Sequence, residues 1–148
     1  PNTPCALGQG LVLLSRAEKN AALAEDFMRL MSAAGRFEVI PESLMDAGCA
    51  ASGCSPAYAY LFIDAIARGA EIGGVPYEQA LGMAAQAVLG AAAMVLHSGK
   101  DPETLCENVC SPGGSTIEGV KLLREEGMQD LVSRATVASW RRNVELGK

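Results

Sequence analysis

Two stretches of this 148-residue chain are almost free of charge, and they limit what it can fold into more than any other feature. Ala57 to Ala67 contains one charge, Asp64, and the segment from Pro76 to Ser98 is apolar on most faces through Ala80, Leu81, Met83, Ala84, Ala87, Val88, Leu89 and Met94. Each opens on a proline and reads as a helix. A helix that is apolar all round must be covered on all sides, and a chain with so few other elements cannot cover two of them by itself. The expectation is an intertwined oligomer, a homodimer or a higher homo-oligomer.

Composition narrows the alternatives. Hydrophobic residues make up 49% of the chain but aromatic ones only 5%, which suits closely packed helices better than a β-sandwich. The longest apolar run, Met83 to Leu96, contains Gln86 and ends at His97 and Ser98. It is shorter than the ~18 apolar residues of a spanning helix, so the expectation is a buried helix in a cytoplasmic protein with no membrane partner. Twelve basic against seventeen acidic residues give a net charge of −5, with no Lys or Arg block to follow a phosphate backbone, and nucleic acid is not expected as a partner. The five cysteines include no CxxC pair, and His97 has none nearby in sequence. No metal site is expected, and the thiols read as reduced, although Cys106 and Cys110 share a helix face. The opening Pro1-Asn2-Thr3-Pro4 carries no initiator Met and no signal features, and it reads as the interior of something longer and not secreted.

Along the chain, Leu11 to Leu14 suits a strand, and Leu23, Phe27, Leu30 and Met31 mark an amphipathic helix over Ala17–Ala34, with Arg16 and Glu18 among its polar residues. Phe37 to Ile40 alternates as a strand that must pair outside the helical part, and Pro41 ends it. Thereafter the pattern is helical. Expected helices cover Glu42–Ser52, Pro56 to about Gly69, Pro76 to about Ser98, and Glu103–Val109 begun by Asp101-Pro102. Another ends at about Glu126 before Gly127, and a last one covers Gln129 to about Leu146, with Arg141 and Arg142 near its C-terminus as the helix dipole favours. Between the first two of these helices, Ser52 to Tyr58 reads as a Gly/Ser-rich turn.

The segment most suggestive of chemistry is Ser111-Pro112-Gly113-Gly114-Ser115-Thr116-Ile117-Glu118. Two glycines followed at once by a helix start would let the N–H groups of Gly114, Ser115 and Thr116 converge, and the helix dipole would favour a carboxylate or phosphate there. The competing reading is a capping box, in which Ser115 as N-cap and Glu118 satisfy the same donors without a ligand. Glu42 reads by default as a first-turn acid, and His97 as a dipole partner at a helix C-terminus.

Taken together, Pro1-Asn2-Thr3-Pro4, Asp46 leading to Ser52-Gly53-Cys54-Ser55-Pro56-Ala57-Tyr58, Gln86 to Ala92, and Ser111 to Ile117 followed by Glu126-Gly127 resemble pyrroline-5-carboxylate reductase. The likeness covers nearly the whole chain, with the four blocks in register. It implies NAD(P)H-dependent reduction of 1-pyrroline-5-carboxylate to L-proline, the last step of proline biosynthesis, by a Rossmann domain followed by a helical domain that interlocks with its twin. The implied fold is mainly α: residues 1–40 as the trailing α/β part of the cofactor domain, and 41–148 as an interlocked helical-bundle dimerisation and substrate domain. Implied substrate contacts are Glu42, Val109, Ser111, Gly114, Ser115 and Thr116. Asn2 and Asn108 would face the cofactor, and neither a catalytic side chain nor a metal is implied.

The chain departs from that pattern in two places. No G-x-G-x-x-G follows a strand, and the βαβ unit of about 30 residues that holds a pyrophosphate is absent, so NADPH or NADH is not expected to bind this chain alone. Cys54-Ser55 stands where the resemblance implies Ser-Gly. Two readings follow: the substrate half of a reductase, or a non-catalytic oligomerisation module. A hydroxy-acid or ketopantoate-type dehydrogenase would be expected to carry a Lys near a helix-borne Asn, a context that Lys100 and Lys121 lack.

Overall fold

A computed structural model describes residues 1–15 and 19–147. The chain opens with a 3-10 turn, Thr3–Leu7, and then strand β1 (Gly10–Leu14), helix α1 (Ala21–Leu30) and strand β2 (Gly35–Val39). The strands pair in parallel, Gly10 opposite Gly35 through Leu14 opposite Val39, which supplies the partner that Phe37 to Ile40 required. Val12 is 5% exposed at the centre of this piece. Phe27 of α1 meets Phe37 edge-on, ring centres 6.1 Å apart. The helix expected from Ala17 is observed from Ala21, where the Asn20 side chain accepts the Leu23 N–H at 3.1 Å. Arg16, Ala17 and Glu18 lie outside the described residues.

The next segment corrects the sequence reading. A 3-10 turn (Glu42–Leu44), helix α2 (Met45–Cys49), a π-helical turn (Ala50–Cys54) and helix α3 (Ser55–Ile72) follow one another directly. Cys49, Ala50 and Ser55 all keep right-handed helical backbone angles. The Gly/Ser-rich turn expected at Ser52 to Tyr58 is therefore a π-helical turn inside a continuous helix, and Pro56 sits in a helix interior. Proline there lacks the N–H that would serve the carbonyl four residues back in α register, or five back in π register. Both carbonyls find side-chain donors instead. Asn2 Nδ2 donates to the Ser52 carbonyl at 2.9 Å, and Ser55 Oγ donates to the Ala51 carbonyl at 2.6 Å. Upstream, Gly48 lets the helix seat against the sheet, since a Cβ there would come within 2.8 Å of Ile40 Cδ1 and 2.9 Å of Leu13 Cδ1.

The chain divides into two compact units, Pro1–Tyr58 with Val132–Lys148, and Ala59–Leu131. In the first, helix α7 (Met128–Leu146) contributes Asn143, which donates to the Asp46 carbonyl at 3.0 Å, and Ser139, whose hydroxyl lies 2.5 Å from that of Tyr58. Arg141 and Arg142 fall before the last turn of α7, which holds no basic residue, and Arg142 pairs with Glu145 instead.

The second unit holds most of α3, helix α4 (Tyr77–His97), helix α5 (Pro102–Val109) and helix α6 (Ser115–Glu125). Its buried centre is small: Ala67 of α3 against Ala80 and Ala84 of α4, with Ile63, Val75 and Leu81 packed around them. The expectation that α4 is buried fails within one chain. Only 11% of its most apolar stretch is covered, and by length and composition it is apolar enough to cross a membrane, contrary to the estimate from Met83 to Leu96. Leu61, Met83 and Leu89 are 73%, 62% and 57% exposed.

Candidate functional site

The Ser111 segment folds as a tight turn feeding a helix. The Gly114 N–H donates to the Ser111 carbonyl at 2.9 Å, with Pro112 second and Gly113 third at φ 72. Proline pre-sets the second angle of such a turn, and only glycine takes the left-handed third without strain. Gly114, with extended backbone, is the N-cap residue of α6, and no side chain caps the helix. This overturns the capping-box reading. Ser115 is the first helical residue rather than the cap, so Glu118 is one position too far along to return the bond. Ser111, Ser115 and Thr116 are exposed at a helix start whose N–H groups are left to a ligand or to water.

Immediately before this turn, Asn108 and Val109 are exposed at the end of α5. Both line an apolar groove of about 450 Å³ with Ala91, Met94 and Val95 of α4 and Leu105 of α5. The structure thus brings Asn108 and Val109 together in a groove of the second unit, whose own chain continues through Ser111, Gly114, Ser115 and Thr116. At the start of α5, Asp101 accepts the Thr104 N–H and hydroxyl at 3.0 and 2.7 Å, the Thr104 hydroxyl bond being the main influence holding its carboxyl below the usual range.

Glu42 and Asn2 belong to the first unit. The Ser15 hydroxyl donates to Glu42 in the first turn after Pro41. Asn2 is engaged at both ends of its amide: besides the Nδ2 bond to Ser52, its Oδ1 accepts the Leu11 N–H at 2.9 Å. This clamp was not legible from the residue pattern, because its partners lie 9 and 50 positions away.

Asp64, the one charge between Ala57 and Ala67, also has a partner set. Asp64 accepts from Arg68 at 2.8 Å and from the Tyr77 hydroxyl at 2.7 Å, and the Arg68 guanidinium lies 5.6 Å from the centre of the Tyr77 ring. The Arg68 bond, then the Tyr77 bond, hold Asp64 below the usual carboxylate range, and the same Asp64 bond pushes the Tyr77 phenol up. Among the described residues no group of three or more His, Cys, Asp or Glu could hold a metal ion. Strand β1, helix α1 and the parallel strand β2 make a βαβ unit from Gly10 to Val39, which corrects the expectation that none is present, while its β1–α1 connection in sequence, Ser15 to Asn20, contains no glycine.

Comparison with known proteins then places the chain. The family described as pyrroline-5-carboxylate reductase dimerisation matches residues 42–146. The chain belongs to the pyrroline-5-carboxylate reductase family. It is 39% identical to the reductase of Escherichia coli (strain K12) over 149 aligned residues, covering 100% of this chain and 55% of that protein. Against the Pisum sativum reductase the identity is 41%, over 99% of this chain and 54% of the relative. The chain therefore spans about half the length of the curated relatives it matches. Among solved structures, the Plasmodium falciparum pyrroline carboxylate reductase with NADP bound aligns with a TM-score of 0.91 at 30% identity, covering 100% of this chain and 59% of that one. The Coxiella burnetii enzyme aligns at 0.87 and 34%, covering 100% and 56%. The resemblance read from the four sequence blocks holds, as does the expected mainly α architecture after a small α/β piece.

Proposed function

We propose that this chain is the substrate-binding and dimerisation half of an enzyme that reduces 1-pyrroline-5-carboxylate to L-proline with NADPH or NADH, and that it turns nothing over by itself. The observation that carries this reading is the uncapped start of α6 behind the Ser111–Gly114 turn, in a chain of this family. The N–H groups there, with the Ser115 and Thr116 hydroxyls, form a donor set for the substrate carboxylate, held by a positive helix end. Val109 and Asn108 form an apolar wall and a polar corner beside it, on the substrate and cofactor sides respectively. Within its own unit Glu42, which accepts from the Ser15 hydroxyl, is read as a substrate contact, and Asn2, which holds Ser52 and Leu11, as a residue that shapes the cofactor side. The nicotinamide supplies the hydride when bound. Because the sequence holds no G-x-G-x-x-G after β1, residues 1–40 are read as the trailing part of a cofactor domain and 41–148 as the helical domain, a division supported by the family match beginning at residue 42.

The protein's own contribution is orientation. It fixes the carboxylate so that the imine carbon faces the hydride donor, and no side-chain nucleophile is required. The second reading, a module that only assembles, is favoured by the exposed apolar faces of α3 and α4, and it describes the isolated chain. Those faces support a homodimer or larger homo-oligomer, with α4 as an assembly helix rather than a membrane span. The free state of all five cysteines supports a cytoplasmic location.

The test is Thr116→Ala in this chain joined to a family cofactor domain. Loss of one hydrogen bond to a charged group, about 1.5–3 kcal/mol, is expected to lower kcat/KM by roughly ten-fold to more than a hundred-fold with melting nearly unchanged. Unchanged kcat/KM removes Thr116 from the site.

A further inference from the structure

Cys106 and Cys110 occupy the end of α5, four residues apart. Cys106 lies in the last turn, and Cys110 is the residue at which the chain leaves the helix, with φ −90 and ψ 92 and its N–H on the Glu107 carbonyl at 3.0 Å. Both thiols are free and half-buried. Both line one cleft of about 210 Å³, whose far wall is Ile117, Val120 and Arg124 of α6. The cleft therefore joins two thiols, an apolar wall, the Glu107 carboxylate and the Arg124 guanidinium, which is itself paired with Glu103, and it leaves both thiols open to a small sulfur compound. Burial, then the neighbouring Cys106 thiol, pushes the Cys110 thiol up, while Arg124 acts in the opposite direction.

We propose that Cys106 and Cys110 form a dithiol site that exchanges with a low-molecular-weight disulfide and closes into a Cys106–Cys110 disulfide, displacing the Ser111–Gly114 turn. The Cys106 thiolate attacks one sulfur of the incoming disulfide; its S–S bond breaks and one thiolate leaves with the electron pair. Cys110 then gives up its proton to solvent and attacks the Cys106 sulfur, expelling the second thiolate. Both leaving thiolates take up protons. The protein dithiol has lost two electrons and the small disulfide has gained them.

Displacement follows from the geometry. A disulfide needs Cβ atoms about 3.5–4.5 Å apart, closer than the about 5–6 Å of side chains four apart within a regular helix, and Cys110 departs from that helical frame only at its own extended angles. Cys106 is held within the helix, but Cys110 has already left it, so Cys110 moves. The next residue is Ser111, whose carbonyl closes the turn on the Gly114 N–H. Oxidation therefore acts on the start of α6.

The test uses the 148-residue chain in a native buffer of reduced and oxidised glutathione, followed by alkylation and peptide mapping. The expected product is the 101–121 tryptic peptide lighter by two hydrogens, with Cys5, Cys49 and Cys54 still reduced. Cys110→Ser is expected to retain glutathione on Cys106 as a mixed disulfide. Hydrogen exchange over residues 113–117 should accelerate severalfold in the oxidised chain and revert with reductant. A disulfide that forms only in urea, or a stable glutathione adduct on the wild-type chain, overturns the site. A disulfide that leaves exchange over 113–117 unchanged overturns the displacement. Neither readout depends on substrate binding or on the variant folding.

Discussion

The side-chain amide of Asn2 donates to the carbonyl of Ser52 at 2.9 Å, the carbonyl that Pro56 leaves without its α-helical donor. The same amide accepts the Leu11 N–H, so one residue joins the first strand of the sheet to the π-helical turn. A proline inside a continuous helix is thereby tolerated: the missing backbone donor is replaced by a side chain from 50 residues away.

Asn2→Ala removes both bonds and is expected to cost about 1–3 kcal/mol in denaturant unfolding. Asn2→Asp keeps the acceptor for Leu11 but sets a carboxylate against the Ser52 carbonyl, and it should destabilise at least as much. Equal stability of wild type and Asn2→Ala would show that Ser52 finds another donor.

The contrast between what was and was not legible in the sequence has a physical pattern. The strands, α4, α5, α7 and the end of α6 are legible from periodicity, from Pro76 and Asp101-Pro102 as starts, and from Gly127 as the stop of α6, all of which act within a few residues. The helices on either side of Ser52 to Tyr58 are legible, but their junction is not, because Ser52, Gly53 and Pro56 signal a turn locally, while the bonds that override that signal come from Asn2 and from a π register with no local marker. At the site, the Ser111–Gly114 turn was readable from Pro112 and Gly113. The frame of the α6 start was off by one, since Gly114 with extended backbone can serve as N-cap as readily as a serine can. The exposure of Leu61 and Leu89 was legible only as a conflict, because no single-chain pattern says what covers an apolar face.

Assembly should resolve that conflict. Light scattering at low micromolar concentration is expected to give at least twice the 15.4 kDa of one chain, and the melting temperature should rise with protein concentration. Leu61→Glu and Leu89→Glu should each lower the assembled fraction. A monomer that unfolds cooperatively would refute the assembly reading.

Asp64 gives a pH signature. Its carboxyl is held below its ordinary value chiefly by Arg68 and then by Tyr77, so the unfolded state takes up a proton more readily than the folded one as pH falls. The stabilisation is fully present above the ordinary carboxylate pKa of about 4 and is lost as pH drops through the lowered folded value. Asp64→Asn is thus expected to lower the melting temperature at pH 7, with the gap to wild type closing in acid. A gap that is independent of pH would mean that Asp64 acts through shape rather than charge.

The start of α6 yields the sharpest pair of substitutions. Were Ser115 the cap, Ser115→Ala would cost about 1 kcal/mol. With Gly114 as N-cap and Ser115 already helical, its hydroxyl has no capping bond to lose, and the expected change is within about 0.5 kcal/mol. Gly113→Ala should behave in the opposite way, because φ 72 is a left-handed angle that costs an alanine roughly 1–2 kcal/mol, even though a Cβ there meets nothing within 4 Å. The turn then either strains or relaxes, and relaxing breaks the Ser111–Gly114 bond and moves the donors at Ser115 and Thr116. On the proposed function, in this chain joined to a family cofactor domain, Ser115→Ala is expected to raise KM without lowering the melting temperature, while Gly113→Ala lowers the melting temperature and raises KM together. A drop in melting temperature on Ser115→Ala comparable to that on Gly113→Ala would return Ser115 to the cap.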